Sequence, residues 1–127
     1  MCSQPTYRLG DLQLRIMRVL WRLGSASVAE VRDQLGGQRL AYTTVATMLR
    51  KMEDRGLLRH HEQQRKFIYR PAVTAEEVTR SMAGDLVDRL FEGSLAETVS
   101  HLLQTREVGR DELARLERLI RQQQKRR

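Results

Sequence analysis

The stretch RLAYTTVATMLRKMEDRGLLRHHEQQRKFIYRP, from Arg39 to Pro71, decides the fold of this 127-residue chain. Its first part predicts a helix over Tyr42–Arg55, because apolar residues recur there at the i, i+3, i+4, i+7 spacing of one buried face. These residues are Val45, Met48, Leu49 and Met52. Gly56 follows the helix and supplies the left-handed residue that commonly ends one. A helix of defined length is therefore expected at the centre of the chain.

Two short β-prone runs follow this helix, over residues 57–61 and 67–70, with the polar segment 62–66 between them. Such a pair predicts an antiparallel hairpin. A helix followed at once by a hairpin with a basic tip is typical of winged-helix DNA-binding domains, in which the hairpin is the wing. We therefore expect the stretch to contact nucleic acid.

The predicted outer face of the helix begins with small hydroxyl side chains and ends with cations. Hydroxyls on the first turns of a helix can reach phosphates or base edges, and cations further along can contact the DNA backbone. Each cation alone is equally well explained as a solvated surface charge, so the hypothesis rests on their placement together. The candidate DNA contacts from the helix and the wing tip are Tyr42, Thr43, Thr44, Thr47, Arg50, Lys51, Arg65 and Lys66.

The net charge of +7 is unevenly distributed. Residues 1–70 carry 13 Lys and Arg against 6 Asp and Glu, whereas residues 71–127 carry 10 of each class. A basic half next to a neutral half indicates a division of labour, with the basic half binding an acidic polymer.

The residues before Arg39 predict two more helices. The first begins near Leu9 and buries Leu12, Ile16, Val19, Leu20 and Leu23. A capping box, Ser27 with Glu30, opens a second helix that runs through Leu35, and Gly36-Gly37 then breaks the chain. The predicted order of elements is a helix, a short helix, a glycine turn and an amphipathic helix. This is the order found in a helix-turn-helix domain.

Three further helices are predicted after Pro71, and two of them start at capping boxes, Thr74 with Glu77 and Ser94 with Glu97. Their narrow apolar faces have no neighbouring sheet to cover them, which predicts dimerisation through residues 74–120. Packing of these helices on residues 10–60 is the alternative. The candidate dimerisation residues are Val78, Met82, Leu86, Leu90, Leu95, Val99, Leu102, Leu113, Leu116 and Ile120.

Several functional classes lack their signatures. The sequence has no glycine-rich phosphate loop, no GxSxG, no HExxH and no Cys/His cluster, so we expect neither an enzyme nor a metal or cofactor site. Cys2 is the single cysteine and excludes a disulfide within the chain. His60 and His61 are adjacent on a predicted strand and would point to opposite sides of it. With no apolar run of about 18 residues and no leader, we expect a cytoplasmic protein without membrane insertion.

The segments LGDLQLRIMRVLW, SVAEVRDQL, LAYTTVATMLRKMEDRGLL and RKFIYRP resemble, in order and spacing, the penicillinase-repressor family of winged-helix transcription factors, the BlaI/MecI/CopY group. The resemblance covers about residues 9–120. It implies a homodimer that represses promoters by occupying a palindromic operator in double-stranded DNA. The positions that match the family's base-reading contacts are Thr43, Thr44, Ala46 and Thr47, and Ala46 departs from members that carry arginine there.

The resemblance also bears on how repression would end. In the β-lactam branch, a membrane sensor-protease system triggers cleavage of the C-terminal domain at an Asn-Phe bond, but residues 96–103 contain no such bond. The copper-responsive branch has a C-terminal cysteine motif, which this chain lacks. The inducing signal, including proteolysis, is therefore left open.

Taken together, we predict a mainly α fold with a small β-hairpin wing, in which a winged helix-turn-helix domain precedes C-terminal dimerisation helices. The predicted organisation is a flexible N-terminal tail at 1–8, a DNA-binding domain at 9–71, a helical dimerisation domain at 72–121 and a basic tail at 122–127. The predicted function is sequence-specific repression by a homodimer. The alternatives are a low-specificity architectural DNA-binding protein, a winged-helix adaptor that binds a protein partner, and a repressor gated by a ligand or metal.

Overall fold

The computed structural model describes residues 6–36 and 39–126. The elements are α1 (Asp11–Leu23), β1 (Ala26–Ser27), α2 (Val28–Gln34), α3 (Tyr42–Asp54), β2 (Leu58–Gln63), β3 (Lys66–Pro71), α4 (Ala75–Phe91), α5 (Leu95–Thr105) and α6 (Arg110–Lys125). The chain forms two compact units, which divide between Asp85 and Leu86. The predicted fold class, mainly α with a β-hairpin wing, is confirmed.

The three strands form one antiparallel sheet in the order β1-β3-β2. On one side of β3, Tyr69 pairs with Ala26 of β1, and on the other it pairs with His60 of β2. The two-residue strand β1 lies in the short connection between α1 and α2. Because β1 joins α1 to α2, its pairing with β3 ties the helices to the base of the wing.

The core of the first unit lies between α1, α2, α3, the first part of α4 and the sheet. Helices α1, α2 and α3 each contribute apolar residues to it, the sheet adds Leu58 and Tyr69, and Leu57 adds to it just before β2. Two positions on α1 differ from the prediction: Met17 is fully buried, whereas Leu23 is 43% exposed at the last residue of the helix. The fully buried large side chains are Ile16, Met17, Leu20, Val31, Val45, Leu49, Met52, Leu57, Leu58 and Val78.

Helix ends follow the local sequence closely. The Ser27 hydroxyl accepts from the Glu30 N–H at 3.2 Å, and the Glu30 carboxylate accepts from the Ser27 N–H at 2.9 Å, so the predicted capping box is confirmed. Gly56 ends α3 with φ +83°. Its N–H donates to the Glu53 carbonyl at 2.9 Å and the Leu57 N–H donates to the Met52 carbonyl at 3.0 Å, which is a Schellman motif.

The wing is tighter than predicted. The strands reach Gln63 and Lys66, so only Gln64 and Arg65 form the loop, where the sequence indicated the five residues 62–66. Polar residues were assigned to the loop because they lack β-prone side chains. The ladder at the exposed tip is nevertheless held by backbone hydrogen bonds, which any residue other than proline can make.

Described residues of both predicted tails belong to the folded structure. Tyr7 packs against the core, and its N–H donates to the Ser81 hydroxyl at 2.9 Å. Helix α6 continues through Lys125, because Gln and Lys are good helix formers and no Gly or Pro interrupts them. Cys2, Gly37 and Arg127, which entered the sequence predictions, lie outside the described residues.

The second unit contains the end of α4 together with α5 and α6. The Ser94 hydroxyl caps α5 by accepting from the Glu97 N–H at 3.1 Å, and the Phe91 and His101 rings pack with centroids 5.6 Å apart. Large apolar side chains along this unit are nevertheless exposed, among them Leu90 at 70% and Leu95 at 67%. Across residues 6–36 and 39–126, no helix combines the length and apolar character needed to cross a membrane.

The capping box makes a testable contribution to stability at acid pH. Hydrogen bonds from the Ser27 N–H and hydroxyl, with a smaller contribution from the Lys66 charge, hold the pKa of Glu30 below its ordinary value of 4.5. The stabilisation is therefore present above pH 4.5 and lost as the pH falls through the lowered pKa of the folded state. Glu30→Gln, which keeps an acceptor but no charge, should melt below wild type at neutral pH, and this gap should narrow in acid.

The measurement is thermal unfolding, followed by circular dichroism, across a pH series from neutral to acid. Glu62→Gln is the control, because Glu62 lies exposed on β2 and has no part in a capping box. A gap between wild type and Glu30→Gln that is independent of pH would contradict the proposed role of the charge.

Candidate nucleic-acid interface

The buried side of α3 determines which face of the helix points outward. Val45, Leu49 and Met52 are completely buried, and this leaves the opposite side of the helix facing outward. Tyr42 is 51% exposed, and the side chains of Thr43 and Thr44 next to it are exposed as well. The outer face predicted from the sequence is therefore accessible along the first turn of the helix.

The remaining predicted contacts on α3 differ in exposure. Arg50 and Lys51 are exposed, as a contact with the DNA backbone requires. Thr47 is half-buried, and Ala46 is half-buried and packs against the core. Ala46 thus lies at the edge of the outer face, and a long side chain at this position would have to turn away from the core. All nine predicted DNA contacts belong to the first unit.

The N-terminus of α3 differs from those of the other described helices. Its N-cap residue Ala41 cannot accept a hydrogen bond through its side chain, as is also true of Gly10 and Gly109 at α1 and α6. Its first turn, however, contains no acidic residue. Within residues 6–36 and 39–126, each of the other five helices has Asp or Glu in its first turn. The positive end of the α3 dipole is therefore available to an anion from outside the chain, such as a backbone phosphate.

Several arginines of the basic half form hydrogen bonds within the fold near the ends of α2 and α3. The Arg32 Nε donates to the Leu40 carbonyl at 2.7 Å, immediately before the helix, and the Arg15 guanidinium donates to the Leu35 carbonyl at 3.1 Å. At the far end, Arg55 donates to the Arg8 carbonyl at 2.9 Å. Part of the charge excess of residues 1–70 is thus used within the fold.

The two loop residues at the wing tip, one of which is the cationic Arg65, adopt an unusual backbone conformation. Gln64 has φ +51° and Arg65 has φ +65°, which are the paired left-handed values of a two-residue type I′ turn. Asn-Gly is the sequence preferred there, since residues with longer side chains are strained at positive φ. The turn places the side chains of Arg65 and Lys66 in solvent at the end of the hairpin.

The predicted dimerisation residues fall into two groups. Val78 is buried in the core of the first unit and Met82 packs against that core, so both side chains are already covered within the chain. The other eight lie in the second unit. Among them, Val99 and Leu116 are half-buried and the remaining six are at least 42% exposed.

One contact was not predicted from the sequence. The His60 Nδ1 lies 2.7 Å from both carboxylate oxygens of Glu53, which connects the wing to the last turn of α3. The spacing of these two residues around Gly56 could have indicated the contact. When a helix reverses into a strand at a glycine, a residue three positions before the glycine can meet a residue four positions after it. The next residue, His61, contacts Gln63 of its own strand at 3.4 Å, whereas His60 contacts Glu53, which agrees with the alternation of side chains along a strand.

The described ranges contain no group of three or more His, Cys, Asp or Glu residues that could hold a metal ion. The exposed groups on α3 and at the wing tip include hydroxyls, cations and the positive end of a helix dipole. Groups of these kinds can bind an anionic polymer.

Comparison with known proteins gives consistent matches. A family model described as "Penicillinase repressor" matches residues 9–122. The penicillinase repressor of Bacillus licheniformis is 25% identical over 114 residues, which cover 89% of each chain. Transcriptional regulator BlaI of Mycobacterium tuberculosis is 34% identical over 119 residues, which cover 89% of this chain and 83% of the relative.

A solved structure of a related repressor domain is similar to this chain in its three-dimensional fold as well. The solution structure of the DNA-binding domain of the repressor BlaI aligns with a TM-score of 0.50 and 28% identity. The alignment covers 59% of this chain and 93% of that domain. The similarity is thus to one DNA-binding domain.

Two substitutions at Ala41 test the role of the free helix end. Ala41→Ser and Ala41→Asp should each raise the free energy of unfolding by about 1 kcal/mol, because both supply the missing N-cap acceptor. Ala41→Ser should bind duplex DNA nearly as wild type does. Ala41→Asp should bind about tenfold more weakly, because its carboxylate repels the phosphate at the helix end.

Urea unfolding would measure the stabilities, and fluorescence anisotropy with a labelled duplex would measure the affinities. The serine variant is the matched control, since it adds a cap without adding charge. Equal DNA affinities for the Ser and Asp variants would contradict a phosphate at this position.

Proposed function

The chain belongs to the penicillinase-repressor family of transcriptional repressors, and from that premise we propose that it acts as a homodimer on a two-fold symmetric operator in duplex DNA. In this proposal α3 enters the major groove, the wing tip contacts the adjacent backbone, and the bound dimer blocks transcription. The observation that carries the proposal is the outer face of α3, which has exposed hydroxyls, exposed cations and an uncapped positive end.

The contacts on α3 and on the wing should differ in what they contribute. Short hydroxyl side chains on the first turns can hydrogen-bond base edges, and a threonine methyl can pack on a thymine methyl. Arg65 and Lys66 at the wing tip are suited to phosphates, which are the same in every sequence. We therefore assign specificity to the Thr43–Thr47 region of α3 and general affinity to the wing.

The second unit supports the dimer. Eight of the eleven exposed large hydrophobic residues of the described chain lie between Leu86 and Ile120. Three helices with so much exposed apolar surface cannot form a sufficient core by themselves, and a second copy can cover that surface. Val78 and Met82 are covered within the first unit, so we place the dimer contacts from Leu86 onward.

A homodimer explains how two small DNA-binding domains can act as one effective repressor. An isologous dimer presents two copies of α3 to two half-sites related by the same two-fold axis, so that binding of one half raises the effective concentration of the other. Any event that removes part of residues 86–126 would separate the two DNA-binding domains of the dimer and so release the operator. Cleavage by a sensor-protease system, as in the β-lactam branch, would act in this way.

The primary test compares DNA from the region upstream of the gene with scrambled DNA of equal length, at near-physiological salt. We expect roughly hundredfold or greater preference for the upstream region, within the range of specific over non-specific binding. A nuclease footprint should be short and two-fold symmetric. Equal binding to both, followed by equal binding to all fragments of the genome, would favour an architectural protein instead.

Alanine substitutions test the division of labour between α3 and the wing. Thr44→Ala and Thr47→Ala should each lower operator affinity about tenfold while leaving affinity for random DNA nearly unchanged, since each removes a base contact. Arg65→Ala should weaken both alike and should reduce the salt dependence of log K by about one per lost phosphate contact.

Two exposed residues of the helices outside the site serve as controls. Thr79→Ala on α4 matches the threonine variants, and Arg118→Ala on α6 matches Arg65→Ala. Equal losses on operator and random DNA for the two threonine variants would reject the assignment of specificity to α3.

Charged substitutions in the second unit test the dimer. Leu90→Glu and Ile120→Glu should each raise the dimer dissociation constant at least roughly hundredfold, because each removes a buried apolar contact from both copies. Sedimentation equilibrium would measure this constant, with Gln122→Glu, exposed on α6, as the control. A wild-type chain that is monomeric at micromolar concentration, or charged variants that dimerise as well as the control, would contradict the proposal.

A further inference from the structure

The wing is well anchored only at its base. Leu58 and Tyr69 are buried in the core, and β1 pairs with Ile68 and Tyr69 of β3. Residues 59–67 are exposed on both strands, and His60 is the exposed residue that pairs with Tyr69. A hairpin of two exposed strands has little intrinsic stability, so its tip could take several positions relative to α3.

Among the described residues, one hydrogen-bonded pair of side chains connects this exposed part of the wing to α3. The Nδ1–H of His60 donates to the carboxylate of Glu53, with both oxygens at 2.7 Å. Because an ionised carboxylate only accepts, Nδ1 must carry the proton. In the part of the chain that the structure describes, this is the one side-chain hydrogen bond between residues 59–67 and a helix.

The contact continues through ring packing toward the tip. The centroid of the His60 ring lies 4.5 Å from that of Phe67 and 5.4 Å from that of Tyr69. Phe67 on β3 is adjacent to Lys66, and Arg65 comes next. The imidazole therefore contacts a carboxylate on α3 on one side and the outer half of the wing on the other.

We infer that Glu53 and His60 are positioning residues for DNA binding: the pair holds the wing tip at a fixed distance from α3, so that both can contact one duplex together. This inference rests on the proposed function. Neither side chain has to touch DNA, since Glu53 is half-buried and engaged by His60. The pair lowers the entropic cost that a freely moving wing would incur on binding.

The consequence that separates positioning from a purely structural role is non-additivity. If the pair places Arg65 on a phosphate, then breaking the pair already loses much of the Arg65 contact. Removing Arg65 afterwards should cost little. A pair that only stabilises the fold would leave the cost of removing Arg65 unchanged in both backgrounds.

The experiment is a double-mutant cycle between His60→Gln and Arg65→Ala, with a labelled random-sequence duplex at low salt as the probe. Because phosphate contacts are independent of sequence, the operator is not needed. We expect Arg65→Ala to weaken binding about tenfold in the wild-type background and less than about threefold in the His60→Gln background. A second cycle, of His60→Gln with Lys51→Ala on α3, should be additive.

Two further variants complete the design. Glu53→Gln keeps an oxygen that can accept from the His60 Nδ1–H, and it should retain most of the affinity that Glu53→Ala loses. His61→Gln, the neighbouring position on the other side of β2, should bind as wild type does. Thermal melts of every variant report stability separately from binding.

The outcomes are distinguishable. An Arg65→Ala effect of the same size in both backgrounds overturns the positioning role, even if His60→Gln lowers the melting temperature. A Glu53→Gln variant as impaired as Glu53→Ala also overturns it. A wild-type chain that does not bind the duplex at all overturns the proposed function, and the positioning role with it.

Discussion

The reversal of the chain at Gly56 fixes where the wing begins relative to α3, and the proposed DNA-binding surface depends on this constraint. With φ +83°, Gly56 lets the backbone leave α3 and turn at once into β2, so the wing starts beside the helix that it accompanies. A residue with a β-carbon is strained in this conformation. The same reversal buries Leu57 and Leu58, and it brings His60 back to Glu53. Helix termination, core packing and the relation between helix and wing therefore share one local geometry.

A second constraint acts on the other half of the chain. The first unit buries a continuous core from four helices and a sheet, whereas the second unit leaves most of its leucines exposed. Apolar surface of this extent favours association because water is released from it when two copies meet. In the proposed dimer, the first unit keeps its own core, whereas the stability of the second unit depends on protein concentration. Operator occupancy would then depend on the amount of dimer.

Sequence patterns predicted the elements well wherever a single local rule decides them. The apolar spacing of α3, the Ser27–Glu30 capping box and the glycine at position 56 each fix a structure within a few residues, and each is confirmed. Features that depend on distant partners were not predictable in this way. The packing of Tyr7, the burial of Met17 and the tether from Arg32 to Leu40 follow from tertiary contacts. The wing loop was misjudged because polar side chains do not prevent a backbone ladder. The assignments of individual DNA contacts and of the dimer surface stay predictions.

The proposed DNA-binding surface also contains two positions at which other residues would stabilise the fold more. Ala41 supplies no cap to α3, although Ser or Asp would do so, and Gln64 and Arg65 adopt positive φ where Asn-Gly is preferred. Both positions lie where α3 or the wing would meet phosphate. A capping carboxylate would oppose the phosphate, and a glycine at position 65 would remove the cation. Local rules of folding are thus relaxed at two places where the same atoms would serve binding, which is the pattern expected when a surface is shaped by a ligand outside the chain.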